Sequence, residues 1–456
     1  MAYNFHPMDR NQKYLIPPSL EDWLGEGHLV WMVLEAVEQM DLVGFYRSYR
    51  EDGCGNTAYH PRMMLALLLY GYCHGEPSSR QLERLCQTDI AYRAITVSQF
   101  PDYSTIARFR QKHRKVLRGL FLEILKLCAQ AGLGKLGMVA LDGTKMKANA
   151  SLQANRTEKY LQQEIERMLK EADAKDKEED KLYGKDRRGD ELPKELRSRK
   201  KRQAKLKACK EQLDREKELA DNERLAKQQE RQAREEEADQ PLRGRKPKTE
   251  SEENHSECKG NLTDPDSRIL KTQTGYVQGH NAQAVVSADQ IILAAEIVEQ
   301  ANDQGLLHPM LRQAQMNVED AGFTDAILTA TADAGYGNET DLRNIPEGSP
   351  ALYVATQKSW KQRKQQQESP SPRGRIPACL TAMERMTRKL LTQAGRRIYK
   401  IRGQTVEPVF GQIKQGLGFR SFSCRGLEMC EGEWFLICAA HNLRKLFRSG
   451  RACFGN

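Results

Sequence analysis

The spacing of apolar and polar positions divides the chain into regions of different character. Over residues 1–130 the apolar residues recur at helical intervals. The stretch Ser19 to Asp22 has the form of a helix start after Pro17 and Pro18, and Leu29 to Met40 carries an apolar stripe. Met63 to Cys73 is apolar over most of its surface, which predicts a helix inside a core. Ser78 or Ser79 offers a cap to a helix bearing Leu82, Leu85 and Ile90, with Arg80, Arg84 and Arg93 on its outer side. Ser104 offers a second cap to a segment carrying Arg108 and Arg110. Two short capped helices with basic outer faces suggest a helix-turn-helix-like unit that binds DNA, and residues 60–115 are its extent. A plain helical bundle with solvated arginines fits the same pattern equally well.

The pattern then changes to strands. Met138 to Leu141 is an unbroken apolar run, as in a strand buried on both faces, and it ends in Asp142, Gly143 and Thr144. A bare carboxylate has no packing reason to close such a strand, although Asp-Gly pairs also simply begin turns. Residues 275–286 and 291–298 predict a hairpin, and 304–321 a helix. Residues 326–338 predict a second buried strand that ends in Asp333, followed by Gly335 and Gly337, and 351–357 a further strand. Residues 358–377 read as a polar loop and 380–395 as a basic helix. Glu407 then opens a helix just before Pro408, and a last helix over 427–447 places Leu436, Ala440, Leu443 and Phe447 on one face.

Between these regions, residues 155–260 are dominated by Lys, Glu, Arg, Gln and Asp. Residues 197–238 read as one long polar helix whose leucines, Leu206, Leu213, Leu219 and Leu225, recur near a coiled-coil spacing. The segment is predicted to be an extended helical arm that the rest of the fold does not need. The chain therefore divides into a helical region (1–130), a globular α/β domain (131–154 with 261–450) and a charged helical insertion (155–260).

Composition narrows the function. A formal charge of +10 over 456 residues suits a nucleic-acid partner. No apolar stretch approaches a membrane span and the N-terminus lacks a signal-peptide core, so a cytoplasmic protein without a membrane partner is expected. The eleven cysteines form no CxxC pair and read as reduced residues; His255 with Cys258 is the nearest approach to a metal motif. Asp264 and Asp266 flank Pro265 as turn residues, Trp434 reads as core, and His441 as a capped or exposed histidine. His280, Asn281 and Gln283 either face a cleft or DNA, or are ordinary polar residues of a half-exposed hairpin.

Asp142, Asp333 and Glu407 stand out by context. Together they make the carboxylate set that holds two divalent cations about 4 Å apart in phosphoryl transfer. Lys145, Lys147, Arg402 and Lys414 are bases placed to hold phosphates nearby.

These residues carry a resemblance. Leu141-Asp-Gly-Thr-Lys145, Thr331-Ala-Asp-Ala-Gly-Tyr336 and the run from Tyr399 through Arg402 and Glu407 to Lys414 resemble the motifs of the DDE-type transposases of bacterial insertion sequences. The stretch from His60 to Glu83 resembles their N-terminal region. Six residues separate Glu407 from Lys414, as in the Tyr-Arg-Glu-Lys motif; four separate Arg402 from Glu407, one more than the usual pattern. The resemblance implies an RNase H-like mixed sheet flanked by helices, two Mg²⁺ ions (with Mn²⁺ as a substitute) on Asp142, Asp333 and Glu407, and DNA contacts from Tyr399, Arg402 and Lys414. It implies cleavage of transposon terminal inverted repeats and joining to target DNA by a homo-oligomer in the bacterial nucleoid. A nuclease without strand transfer and an inactive DNA-binding regulator are the rival readings.

Overall fold

Helical periodicity becomes helix throughout the first region of the computed structural model, which describes residues 20–49, 57–167, 194–238, 259–272, 275–357, 362, 368–377 and 379–450. The helices are α1 (Leu20–Trp23), α2 (Leu29–Gln39), α3 (Val43–Tyr46), α4 (Pro61–Cys73), α5 (Ser79–Thr88), α6 (Ile90–Thr96), α7 (Tyr103–Lys112) and α8 (Leu117–Gln130). All of α4 except Arg62 is buried, as its nearly uniform apolar surface requires. Ser78 caps α5, its hydroxyl accepting from the Gln81 amide. Two boundaries differ from the sequence reading. Asp89 ends α5 and caps α6 with bonds from the Ala91 and Tyr92 amides, so one expected helix is two. Asp102, rather than Ser104, caps α7, because its carboxylate takes the Ser104 and Thr105 amides together.

The second region is a mixed sheet. Its strands are β1 (Met138–Lys147), β4 (Arg268–Thr272), β5 (Gly275–Ser287), β6 (Ile292–Val298), β7 (Thr329–Ala332) and β8 (Ala351–Val354), and a separate ladder joins β2 (Asn155–Thr157) to β3 (Lys259–Asn261). β5 pairs antiparallel with β1 on one edge and with β4 and then β6 on the other. On the far side of β1, β7 and β8 follow in parallel. β1 is longer than its apolar run: it continues past Asp142 to Lys147, because β5 keeps pairing with it from Val139 to Lys147. β7 accompanies β1 only from Met138 to Leu141.

The insertion begins with a helix over 158–167, α9, and contains the 45-residue α10 (Lys194–Ala238), about 68 Å long at 1.5 Å per residue. Leu206 and Leu213 of α10 are buried with Cys209 and Leu161 in a small cluster of their own, whereas Leu219 and Leu225 are exposed. The expected leucine seam thus has partners over only part of its length. Among the described residues no helix is long and apolar enough to cross a membrane.

The remaining helices are α11 (Leu307–Asp320), α12 (Glu339–Arg343), α13 (Ala382–Leu391), α14 (Gln393–Gly411) and α15 (Leu427–Ser449). α15 packs against α4, α8 and β6, joining the helical region and the sheet in one core. Asn442 of α15 pairs with the edge of β6 through its amide, accepting from Ile292 N at 2.9 Å and donating to Ile292 O at 2.9 Å. Leu436, Ala440 and Leu443 are buried as expected, but Phe447, near the helix end, is 37% exposed. The expected basic helix at 380–395 is broken at Thr392, which caps α14.

Candidate active site

Strand register brings the acids together. Leu141 of β1 lies beside Ala332 of β7, so the next residues, Asp142 and Asp333, occupy adjacent places where the parallel pairing stops. Asp142 Oδ1 accepts from the Gly143 amide at 2.9 Å, and Asp333 Oδ1 from the Gly335 amide at 2.8 Å. Glu407 arrives on α14. It does not open that helix as the sequence suggested: α14 runs unbroken from Gln393 to Gly411, with Pro408 inside it. Proline there removes the bond that the Gln404 carbonyl would accept. Gln290, in the β5–β6 turn, supplies a replacement through Nε2 at 3.1 Å. A π-turn, Gln412–Gly416, follows.

Arg402 ties the set together. Its guanidinium donates to Asp142 Oδ2 at 2.6 Å and lies 3.6 Å from Glu407 Oε1. The residue is buried, with Asp142 mostly covered and the Glu407 carboxylate largely exposed. Burial pushes the Asp142 carboxyl up to about 7 despite Arg402, and the nearby Asp333 adds to the rise. Arg402 thus offsets only part of the cost of burying this carboxylate beside a second acid. All the donors are hard oxygens, the chemistry that suits Mg²⁺ or Mn²⁺.

A further acid joins them. Asp303, in the loop between β6 and α11, accepts from Asn281 Nδ2 at 2.8 Å and Gln283 Nε2 at 2.9 Å through Oδ1. Gln283 in turn accepts the Tyr336 hydroxyl. Two glycines make room for this arrangement. A Cβ on Gly143 would come within 2.4 Å of Gln283 Nε2 and 2.9 Å of Asp303 Oδ1. One on Gly335 would come within 2.9 Å of Asp303 Oδ2 and 3.0 Å of Asp333 Oδ1. Asp303 lies in a polar loop indistinguishable from a turn by sequence. The available signal was Asn281 and Gln283, which share β5 with Gln278 and His280 and, once buried, needed partners.

The other named residues fall in several places. Lys414 Nζ donates to the Lys145 carbonyl at 2.8 Å and burial lowers its pKa; Lys145 Nζ donates to Lys271 O at 2.6 Å. Tyr399 lies on α14 one turn before Arg402 and is half-buried. Arg80, Arg84 and Arg108 are exposed on α5 and α7. Arg110 is not: it donates to the Tyr72 hydroxyl at 3.0 Å and to Pro77 O at 2.9 Å, inside the fold. Trp434 is fully buried and donates to Gln283 O at 3.1 Å. His441 is buried, with Nε2 donating to Gln290 O at 3.0 Å. His280 is buried too, so it faces neither cleft nor solvent. His255 and Cys258 lie outside the described residues.

Two family matches bear on this arrangement. Residues 18–112 match the family described as a transposase domain (DUF772), and residues 358–447 match the family described as a transposase DDE domain. The second match takes in Tyr399, Arg402, Glu407 and Lys414. The two matches, at opposite ends of the chain, support an insertion-sequence DDE transposase. No curated protein and no solved structure matches it. A transposase DDE domain suggests an enzyme acting on DNA, and proteins of that family generally use divalent metal ions.

Proposed function

We propose that this transposase cleaves the ends of its element and joins them to target DNA, using an RNase H-like domain formed by 131–154 and 261–450. The observation that carries this reading is the adjacency of Asp142 and Asp333 across β1 and β7, with Arg402 reaching both Asp142 and Glu407. The antiparallel run β6, β5, β1, followed by β7 and β8 in parallel, supports the fold assignment; β4 adds to the β5 edge beside β6. Asp142, Asp333 and Glu407 would hold two Mg²⁺ ions. Bound there, the ions supply charge that activates the attacking oxygen and stabilises the leaving one.

The chain's own groups do the rest. Arg402 neutralises the acids in the metal-free protein and orients Asp142. Asp303 adds negative charge at the same place and is itself oriented by Asn281 and Gln283. Lys414, Lys145 and Tyr399 border the acids and contact the phosphate backbone of the bound end. Arg80, Arg84 and Arg108 on the 1–130 region grip the terminal repeats by phosphate contacts, with a second copy of the chain on the paired end. The 155–260 arm serves assembly rather than chemistry.

The test is an in vitro reaction with Mg²⁺, a pre-cleaved terminal-repeat duplex and a target plasmid. The expected product is the end joined to the target through its 3′ hydroxyl. Cleavage without joined product would replace this reading with a plain nuclease. Binding without either product would leave a DNA-binding regulator.

A further inference from the structure

A second cluster of potential metal ligands lies along the same ladder, away from the acids. We propose that Asp264, His280 and Cys430 form a structural zinc site. The three come from separate parts of the chain: the return from the insertion, β5, and the first turn of α15. All three are buried, at 0%, 1% and 0% exposure, and their ligand atoms lie within 4.8 Å of one another. In the ladder His280 stands opposite Met146, whereas Asp142 stands opposite Ala284. That separates this cluster from the acids by four positions, about 13 Å at the rise of a strand.

The distances suit a cation better than a hydrogen bond. His280 Nε2 lies 3.3 Å from Asp264 Oδ2. A charge-assisted hydrogen bond between such groups spans about 2.7–2.9 Å. Two ligand atoms about 2.0–2.1 Å from a tetrahedral zinc ion stand about 3.3–3.4 Å apart. Cys430 Sγ donates to the Cys424 carbonyl oxygen at 3.6 Å, which places a backbone oxygen beside the thiol as a fourth donor.

One nitrogen of the His280 ring also lacks a partner. Its Nδ1 is buried without a hydrogen bond, so the ring is not held by a complete set of protein contacts. Asp264, by contrast, is oriented through its other oxygen, which accepts from the Gly426 amide at 3.1 Å. This is the kind of supporting bond that fixes a ligating carboxylate.

The donor set selects the metal. One imidazole, one thiol and one carboxylate suit zinc and exclude Mg²⁺ as the natural occupant. Binding would deprotonate Cys430, releasing the proton to solvent. The ion would pin the root of the insertion to β5 and to α15. Asp266 already reaches the same helix start, accepting from the Leu427 amide at 2.8 Å. The proposal is independent of the catalytic reading, since none of its ligands belongs to the acid cluster.

Cobalt distinguishes the two places. The full chain, purified under reducing conditions, is analysed for bound zinc, stripped with a chelator and titrated with Co²⁺ alone. The expected results are one equivalent of zinc as isolated, and a near-ultraviolet thiolate-to-cobalt absorption that survives in Asp142→Asn and in the exposed-cysteine control Cys379→Ser. Cys430→Ser should lose both the zinc and the absorption. A wild-type chain that binds no zinc and shows no such absorption overturns the site, as does a folded Cys430→Ser that keeps it. If Cys430→Ser does not fold, His280→Gln is read by the same two outcomes. Stripping zinc should also lower the melting temperature, and Zn²⁺ but not Mg²⁺ should restore it.

Discussion

The β1–β5 ladder meets carboxylates at two stations, Asp142 within it and Asp264 beside its His280, and they differ in almost every physical respect. At Asp142 the acids are hard-oxygen donors, partly open, with the Glu407 carboxylate 64% exposed and a guanidinium supplying countercharge. At His280 the donors are mixed and sealed from solvent, and Asp264 is held by the Gly426 amide at a helix start. On the proposed reading, the first arrangement would leave coordination positions for a substrate and tolerate exchange of its ions. The second leaves none. One strand pair thus offers a place for turnover and a place for permanence, and the difference lies in burial and donor type rather than in backbone geometry.

Parallel substitutions break this comparison most sharply. Asp142→Asn, Asp333→Asn and Glu407→Gln should each lower strand transfer by about a hundredfold or more, a loss typical of removing one charge-stabilising group. The melting temperature should hold or, for Asp142→Asn, rise, because burial already penalises that carboxylate. Asp264→Ala should do the reverse: a melting temperature lowered by the loss of about 1–3 kcal/mol as His280 and the Gly426 amide lose their partner, with joining per folded molecule unchanged. Joining assays and calorimetry on the same preparations decide it. Near wild-type joining in any of the first three would remove that residue from the set.

Asp303→Asn probes the edge of the first station. The acid orients two amides and lies by Asp333, so its neutral isostere should weaken Mn²⁺ binding about tenfold, within the range for supporting groups of a metal site. Titration calorimetry measures this, and unchanged affinity would make Asp303 a purely structural residue.

Charge reversal of Arg80, Arg84 and Arg108 should flatten the salt dependence of terminal-repeat binding by about 2 to 3 in log–log slope. An unchanged slope would move the DNA surface to the basic faces of α13 and α14. Arg110 is the internal control: because it holds Tyr72 and Pro77, Arg110→Glu should cost stability rather than slope.

The smallest effect is on pH. Burial lowers the His441 pKa from its usual 6.5 to about 4. A depressed folded-state value means that this histidine's contribution is fully present above pH 6.5 and is lost as pH falls toward 4. His441→Gln should flatten the decline of melting temperature over that window, and an identical decline would assign it to other groups.

How far these stations were legible follows from what each depends on. β1, the hairpin and α4 rest on local periodicity, and their existence was readable although β1 proved longer than its apolar run. Asp142 and Asp333 were visible because a charge after a buried apolar strand is conspicuous. Glu407 was visible too, but its helix was misread. Pro408 looked like a helix start, and only the contact from Gln290, 114 residues away, shows why the helix tolerates it. Asp303 and Asp264 were opaque for the same reason: each resembles a turn residue until its partners arrive from distant strands. His441 was read as capped or exposed and is buried, because its partner is a carbonyl in the β5–β6 turn that local pattern does not reveal.

The short β2–β3 pairing has a meaning for the gene as much as for the fold. Asn155 sits opposite Asn261 and Thr157 opposite Lys259, so everything between them leaves and re-enters the body at one spot. Closing a loop grows costlier only slowly with its length, about 0.6 kcal/mol per doubling. Beyond the part of α10 that packs on this clasp and reaches Arg268 of β4 through Glu216 at 2.6 Å, the intervening segment is expected to tolerate changes of length. In the laboratory the same clasp is a docking port, where a fluorescent reporter with neighbouring termini can be installed to watch the molecule on DNA.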